Sequence, residues 1–292
     1  MKPGSFPGDP CDGGGGGGAR DRVPRQFPGA EATPVTDAPT TAAYQVNSAY
    51  HFRVALPNGL ANSTSRQLQG ISPGLVVPVG STEQHGPHLP LDTDTRIASA
   101  VADAVVRRLA QRGDADWVIA PPIGYGASGE HEGFPGTVSI GTAALRLLLV
   151  EYGRSACNWA SRLVFVNGHG GNVEALGAAV ALLRYEGRDV AWSSCGVRTA
   201  DAHAGHTETS VLLHISPDDV RSDECATGNT APLSELLPSL RRGGVAAVSE
   251  VGVLGDPTTA TADDGAQIFA DMVGGCADRM LRWEPDRSGM LT

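Results

Sequence analysis

The chain has 292 residues, 41% hydrophobic and 18% charged, with 22 Lys and Arg against 32 Asp and Glu and a formal charge of −10. That acidity, without any basic run, argues against nucleic-acid binding, and no apolar stretch approaches the ~18–20 residues of a membrane span. Cys11, Cys157, Cys195, Cys225 and Cys276 are widely spaced with no C-x-x-C, and Lys2 is followed by no apolar h-region. Free thiols in a reducing cytoplasm are therefore expected, rather than a disulfide framework or a secretory signal.

Residues 1–45 hold 9 Gly and 7 Pro, including the run Gly13–Gly18, and no Leu, Ile or His. Such a segment cannot bury enough apolar surface to offset chain entropy and is expected to be a disordered extension. Ordinary composition begins at Val46, and valine is the conceptual translation of a GTG start codon. The expectation is a true start at Val46, one α/β domain over 46–292, and no catalytic contribution from the extension.

In chain order, Leu75–Gly80 reads as a short buried strand. Asp94 to about Gln111 reads as a helix, with Ile97, Val101, Val105 and Leu109 four apart. Trp117–Ala120 is a second strand, closed by Pro121 and Pro122. Thr142 to about Trp159 is a helix with Thr142 as its N-cap. Arg162–Asn167 is the clearest strand, followed by glycines and a helix from about Asn172, itself a possible cap, to Tyr185. Asp189–Ser193 is a further strand, Thr209–His214 is short and ambiguous, and Thr261 to about Trp283 is a closing helix. Strands alternating with long helices imply βαβ units and a mostly parallel sheet, whose function gathers at the strands' carboxyl ends.

Six of the eight histidines fall in four polar, Gly-rich segments. In Gly80–Asp94, Glu83 and His85 are two apart and share one side of an extended chain; Asp92 and Asp94 repeat the spacing. Carboxylates with an imidazole suit a divalent cation such as Zn, Mn or Fe. In Asn167-Gly-His-Gly-Gly-Asn172, His169 stands at a strand end. A phosphate loop there is disfavoured, because neither G-x-G-x-x-G nor G-x-x-x-x-G-K-[ST] is present. Asp201–Ser210 offers His203, His206 and Glu208, a source of one more ligand and of a general acid or base. Gly124–Thr137 suits a loop over a site, with Tyr125, Ser128, Glu130 and His131 as substrate contacts. One shared centre explains all four segments together. A bridging carboxylate would place two metals roughly 3.5–4 Å apart and activate water for hydrolysis.

Ser81-Thr-Glu-Gln-His-Gly-Pro-His-Leu-Pro-Leu-Asp-Thr-Asp94 and Asn167–Asn172 resemble the creatininase family of metal-dependent amidohydrolases. The resemblance implies a three-layer α/β/α sandwich, a binuclear site and a homo-oligomer. It implies metal ligands at Glu83, His85, Asp94 (bridging) and His169, and a catalytic role for His203. Creatininase itself carries a ligand glutamate where this chain has Gly171, so the fifth ligand is expected at Glu208, with His206 as the rival. Asn47–His51, Tyr125–His131, His203–Ser210 and Gly252–Ala260 resemble the mycofactocin-system branch of that family. That likeness implies a cytoplasmic peptidase that removes the C-terminal Val-Tyr dipeptide from a modified precursor peptide during redox-cofactor biosynthesis. It would use Zn or Fe, with Mn as a further choice. The competing readings are an amidohydrolase of the same fold acting on a creatinine-like ring or a formamide, and a non-catalytic partner in a biosynthetic complex.

Overall fold

Residues 74–79 have side chains that are buried without interruption, as expected of a strand covered on both faces. This strand, β1 (Gly74–Val79), lies inside a parallel sheet with β2 (Trp117–Ile119), β3 (Arg162–Asn167) and β4 (Val190–Ser194), in the order β2-β1-β3-β4. The computed structural model describes residues 59–114, 116–197 and 200–292. The extension over 1–45 and the start of the domain at Val46 lie outside the described residues. Pro78 is tolerated in a central strand because β2 has already ended beside it. Its carbonyl accepts from Ile123 N–H (2.9 Å), where the chain is leaving the sheet.

Alternate side chains of the sheet feed two cores. Val76, Val164, Val166 and Ala191 face α2 (Thr93–Gln111), α5 (His206–Ile215) and α7 (Ala262–Arg282). Leu75, Val77, Leu163, Phe165 and Val190 face α3 (Gly141–Ala156) and α4 (Val173–Tyr185). The result is the expected three-layer α/β/α sandwich. A short helix, α1 (Ser65–Leu68), precedes β1, and α6 (Leu233–Gly243) sits outside the layers on its own small apolar cluster with Leu236, Val245 and Leu254. In α2, Ile97, Val101, Val105 and Leu109 are all buried, so the fourfold spacing is the buried face. Among the described residues no helix is long and apolar enough to cross a membrane.

Several local expectations are corrected. Thr142 does not cap α3: the helix starts at Gly141, whose φ of 75° suits glycine, and ends at Ala156. Ser139 Oγ accepts the Gly141 N–H instead (3.2 Å). Asn172 stands before α4 but does not cap it, because its amide is engaged elsewhere. β4 is shifted one residue, to Val190–Ser194, and the ambiguous segment 209–214 lies within α5. The closing helix, expected over Thr261 to about Trp283, runs Ala262–Arg282, with Thr261 outside it as the cap, accepting from Asp264 N–H (3.0 Å).

Candidate metal centre

Each of the four strands delivers one of the polar segments at its carboxyl end. Beyond β1 the loop doubles back, with Glu83 N–H donating to Leu91 O (2.9 Å). It then enters α2, whose first turn carries Asp94 where the helix dipole favours a carboxylate. Ser81 Oγ donates to Asp94 Oδ2 (2.7 Å). Beyond β3, Asn167 Nδ2 donates to the carbonyl of His169 (2.7 Å). Gly168 lets β3 close on α2: a Cβ there would lie 2.5 Å from Asp94 O. The Asn172 amide ties three segments, accepting from Ala127 N–H (2.9 Å) and donating to Gly80 O (2.9 Å) and Asn167 Oδ1 (3.2 Å). Beyond β4, His203 is pinned to Leu254 by backbone bonds in both directions. Asp201 then receives the N–H groups of His206 and Thr207 and starts α5.

These elements converge on a buried cluster. His169 Nδ1 lies 3.2 Å from Glu83 Oε1 and 3.1 Å from Asp94 Oδ2. His85 Nε2 lies 3.2 Å from Asp94 Oδ1 and 3.9 Å from Glu208 Oε2. Three groups each offer ligand atoms within 4.8 Å of one another: Glu83, Asp94 and His169; His85, Asp94 and Glu208; and Glu83, His85 and His203. The outer nitrogens of the imidazoles are tied to backbone carbonyls. His85 Nδ1–H donates to Glu83 O (3.1 Å), His169 Nε2–H to Ala127 O (3.2 Å) and His203 Nε2–H to Gln84 O (2.8 Å). Such bonds select the tautomer that leaves the inner nitrogen free for a metal. Both carboxylate oxygens of Glu83 are buried with no hydrogen-bond partner among the described residues. A buried, unpartnered carboxylate is costly unless a cation meets it. The donor set therefore fits divalent metal.

The electrostatics follow from burial and from the crowding of opposite charges. Burial lowers the pKa of His85, but Asp94, Glu208 and Glu83 overcome it and raise it to about 10. His169 is likewise pushed up against burial by Glu83 and Asp94. Burial and Asp94 push Glu83 up, but His169 and His131 bring it down to about 2. Burial, together with Asp94, raises Glu208 to about 7 despite His85. Burial lowers His131 to about 4, and burial with His85 and His131 as neighbours holds His203 well below the usual range.

The structure brings together Glu83, His85, Asp94, His169, His203 and Glu208. Asp92 faces away, accepting from Arg96 Nε (2.7 Å). His206 also turns outward, with Nδ1 2.9 Å from Thr259 Oγ1. Glu208 additionally accepts from the backbone N–H of Ala204 (2.6 Å), a residue with φ 50°. Position 171 is closed to any side chain: a Cβ there would lie 2.2 Å from Ala127 O and 2.5 Å from His169 Nε2. Glu130 and His131 line the cavity over the cluster, whereas Ser128 is buried behind His169, 3.4 Å from Nε2, and Tyr125 is 52% exposed outside it.

Two contributors were not legible in the sequence. Gln84 Nε2 donates to His131 Nδ1 (2.9 Å) and Gly252 O (2.9 Å), while the Gln84 backbone carbonyl accepts from His203 Nε2–H (2.8 Å), so one residue orients two imidazoles. Its position between Glu83 and His85 was the available signal, since an extended chain turns it to the opposite side from both. The second is α6, which walls the cavity of about 440 Å³ with Leu233, Leu237, Leu240 and Arg241.

A carboxylate–imidazole cluster at the carboxyl edge of a parallel sheet, under a cavity of this size, has the make-up of a divalent-metal hydrolase site. The creatininase family model, described as creatinine amidohydrolase, matches residues 61–280, and the chain belongs to that family. It is 74% identical over 247 residues to the mycofactocin precursor peptide peptidase of Mycolicibacterium smegmatis, covering 85% of this chain and 100% of the relative. It is 65% identical over 250 residues to the protein of that name from Mycobacterium ulcerans, again covering 85% and 100%. The solved structure "Creatininase Mn" superposes with a TM-score of 0.64 at 27% identity, covering 78% of this chain and 99% of that one.

Proposed function

We propose that the chain is a metal-dependent peptidase that removes the C-terminal Val-Tyr dipeptide from the modified mycofactocin precursor peptide. The observation that carries this reading is the buried cluster opening into a cavity large enough for the end of a peptide, in a chain 74% identical to a mycofactocin precursor peptide peptidase. Glu83, Asp94 and His169 would hold one divalent cation; His85, Asp94 and Glu208 would hold the second, with Asp94 shared. Bound there, the cations supply Lewis-acid polarisation of an amide carbonyl and activation of water at neutral pH. Zn or Fe suits this mixed imidazole–carboxylate set, and Mn is a further choice.

The chain's own residues do the rest. His203 keeps its proton on Nε2, against the Gln84 carbonyl, and turns Nδ1 inward, 3.8 Å from Glu83 Oε1. Held neutral, its Nδ1 accepts a proton inside the cavity and passes it to the leaving amine. Glu130 and His131 contact the substrate from the cavity wall, and burial raises the carboxyl of Glu130. Ser128 steadies His169 from behind. The family resemblance extends the reading to a cytoplasmic homo-oligomer, which sedimentation would test. The functional test is to incubate metal-loaded protein with the modified precursor peptide and detect the products by mass. Release of the dipeptide is expected. An intact precursor alongside turnover of creatinine or a formamide would replace the peptidase reading with that of a small-molecule amidohydrolase.

A further inference from the structure

One nitrogen in the cavity wall is a hydrogen-bond donor by construction, and proton transfer through His203 makes no use of it. His131 closes the single-turn helix Gly129–His131 and lines the cavity, with only 4% of its surface exposed. Its ring meets the side-chain amide of Gln84, and the backbone fixes which end of that amide it meets. Gln84 Oε1 accepts from Gly86 N–H (2.9 Å), and Nε2 donates to Gly252 O (2.9 Å). Gly252, with φ 78°, leaves room for the amide: a Cβ there would run into Gln84 Oε1. The other hydrogen on Gln84 Nε2 faces His131 Nδ1 at 2.9 Å. Nδ1 must meet it with a lone pair, so the proton of this imidazole sits on Nε2. A proton on Nδ1 would set donor against donor.

The neighbours of Nε2 decide what that N–H can reach. Glu83 Oε1 lies 3.3 Å away, but it receives no hydrogen bond among the described residues, and Nε2 makes none. His203 Nδ1 lies 3.8 Å from the same oxygen, and the two rings have centroids 4.4 Å apart, tilted by 47°. Both imidazoles carry their proton on Nε2, yet they turn opposite ends inward. His203 gives its Nε2–H to the Gln84 carbonyl and presents a bare Nδ1. His131 gives its bare Nδ1 to the Gln84 amide and presents an N–H. An amide seated beside Glu83 therefore meets a proton acceptor and a hydrogen-bond donor side by side.

We propose that His131 is a further catalytic residue: its Nε2–H donates to the scissile carbonyl oxygen and holds the oxyanion that forms there. As water attacks the amide carbon, one of its protons goes to His203 Nδ1. The carbonyl π pair moves onto oxygen, where His131 shares its proton without releasing it. When that pair returns, the C–N bond breaks and the proton on His203 goes to the leaving amine. A donor fixed in advance costs no reorganisation as charge develops, so its effect falls on kcat rather than on KM. Gln84 is the positioning residue that fixes the tautomer. The proposal rests on the hydrolase reading of the site and adds to it the group that stabilises the oxyanion.

The test joins a proton count to kinetics. In the metal-free full chain, nitrogen-15 NMR of the His131 ring, assigned by its loss in His131→Gln, should show Nε2 protonated and Nδ1 bare. In the metal-loaded chain, His131→Phe should lower kcat for the modified precursor by roughly 10²- to 10³-fold, with KM changed by less than about threefold. His131→Gln keeps an N–H near the place of Nε2 and should recover at least about tenfold of that loss. Affinity for a phosphinate analogue of the scissile amide should fall in step with kcat, and metal content should not change. His131→Met, equally unable to donate, takes the place of the phenylalanine variant if that one does not fold. A bare Nε2, wild-type kcat in a variant that cannot donate, or a loss confined to KM overturns the proposal. If wild type leaves the precursor intact and opens creatinine or a formamide, the peptidase reading fails; the same kcat loss on that substrate then upholds the donor, and its absence overturns it. No hydrolysis of any of these overturns both.

Discussion

Asp94 touches both halves of the centre: Ser81 Oγ and His169 Nδ1 on Oδ2, and His85 Nε2 on Oδ1. It is the one carboxylate shared by the Glu83–His169 and His85–Glu208 groups. Asp94→Ala should therefore abolish binding of both cations, and elemental analysis showing full metal content would refute the shared role. Glu208 is different, because it both faces His85 and holds the Ala204 N–H. A glutamine can keep the second bond but brings no charge to a cation. Glu208→Gln should lose one metal and at least ~10²-fold of activity while keeping its fold; two tightly held metals with wild-type turnover would reduce Glu208 to a backbone brace. The imidazoles give a pH dependence of definite sign. With His85 raised to about 10 and His169 also raised, both are protonated at neutral pH in the metal-free chain. A cation must displace those protons, so binding releases about two protons and affinity climbs as pH rises through neutrality. Calorimetry in buffers of different ionisation enthalpy measures the release; a metal affinity flat between about pH 6 and pH 8 contradicts it.

Between elements, the seam of β3 and α2 decides whether the two halves of the cluster meet. Gly168 faces the Asp94 carbonyl and Ala98 Cβ, at 2.5 and 3.3 Å from where its own Cβ would be. Gly168→Ala should part the seam, costing about 1–3 kcal/mol of stability and lowering metal content, since His169 moves off Asp94. An unchanged melting temperature and full metal content would show the seam to be slack. This seam was readable in advance: uninterrupted apolar runs marked β1 and β3, fourfold spacing marked α2, and the His-bearing segments fell where strands end. The elements that were missed had conflicting local signals. α5 opens on polar His206-Thr-Glu-Thr209, and its start is fixed by Asp201, five residues earlier across a turn, so a window of residues reads it as loop. α6 carries Pro238 in its interior, a residue that ordinarily ends a helix, and its Leu face is justified by a cavity rather than a core. Position 171 shows the same limit: that a side chain is excluded there depends on Ala127 and His169 arriving from two other segments.

The whole molecule gathers four strand ends around three carboxylates whose ion-pair partners among the described residues are all histidines. Glu83, Asp94 and Glu208 come from β1's loop, from α2 and from α5, and His169 and His203 from beyond β3 and β4. Without cations, these groups rely on imidazolium–carboxylate pairs in a buried space, a costly arrangement, and both Glu83 oxygens lack a hydrogen bond among the described residues. With cations, the same groups would serve as ligands and brace the loops against one another. Metal bound to the native state and not to the unfolded chain stabilises by mass action, about 2.7 kcal/mol for a single site when free metal is 100-fold above its dissociation constant. For a domain of this size that corresponds to a melting temperature higher by about 5–10 °C. Chelation should lower the transition by that much, and readdition of the metal should restore it. Asp94→Ala, having no shared ligand, should melt at the same temperature with or without chelator. That control separates stabilisation at the centre from general effects of divalent salt. If wild type and Asp94→Ala respond equally to chelator, the cluster does not couple metal to the fold, and the convergence of strand ends there is held by the Asn172 and Gln84 hydrogen bonds alone.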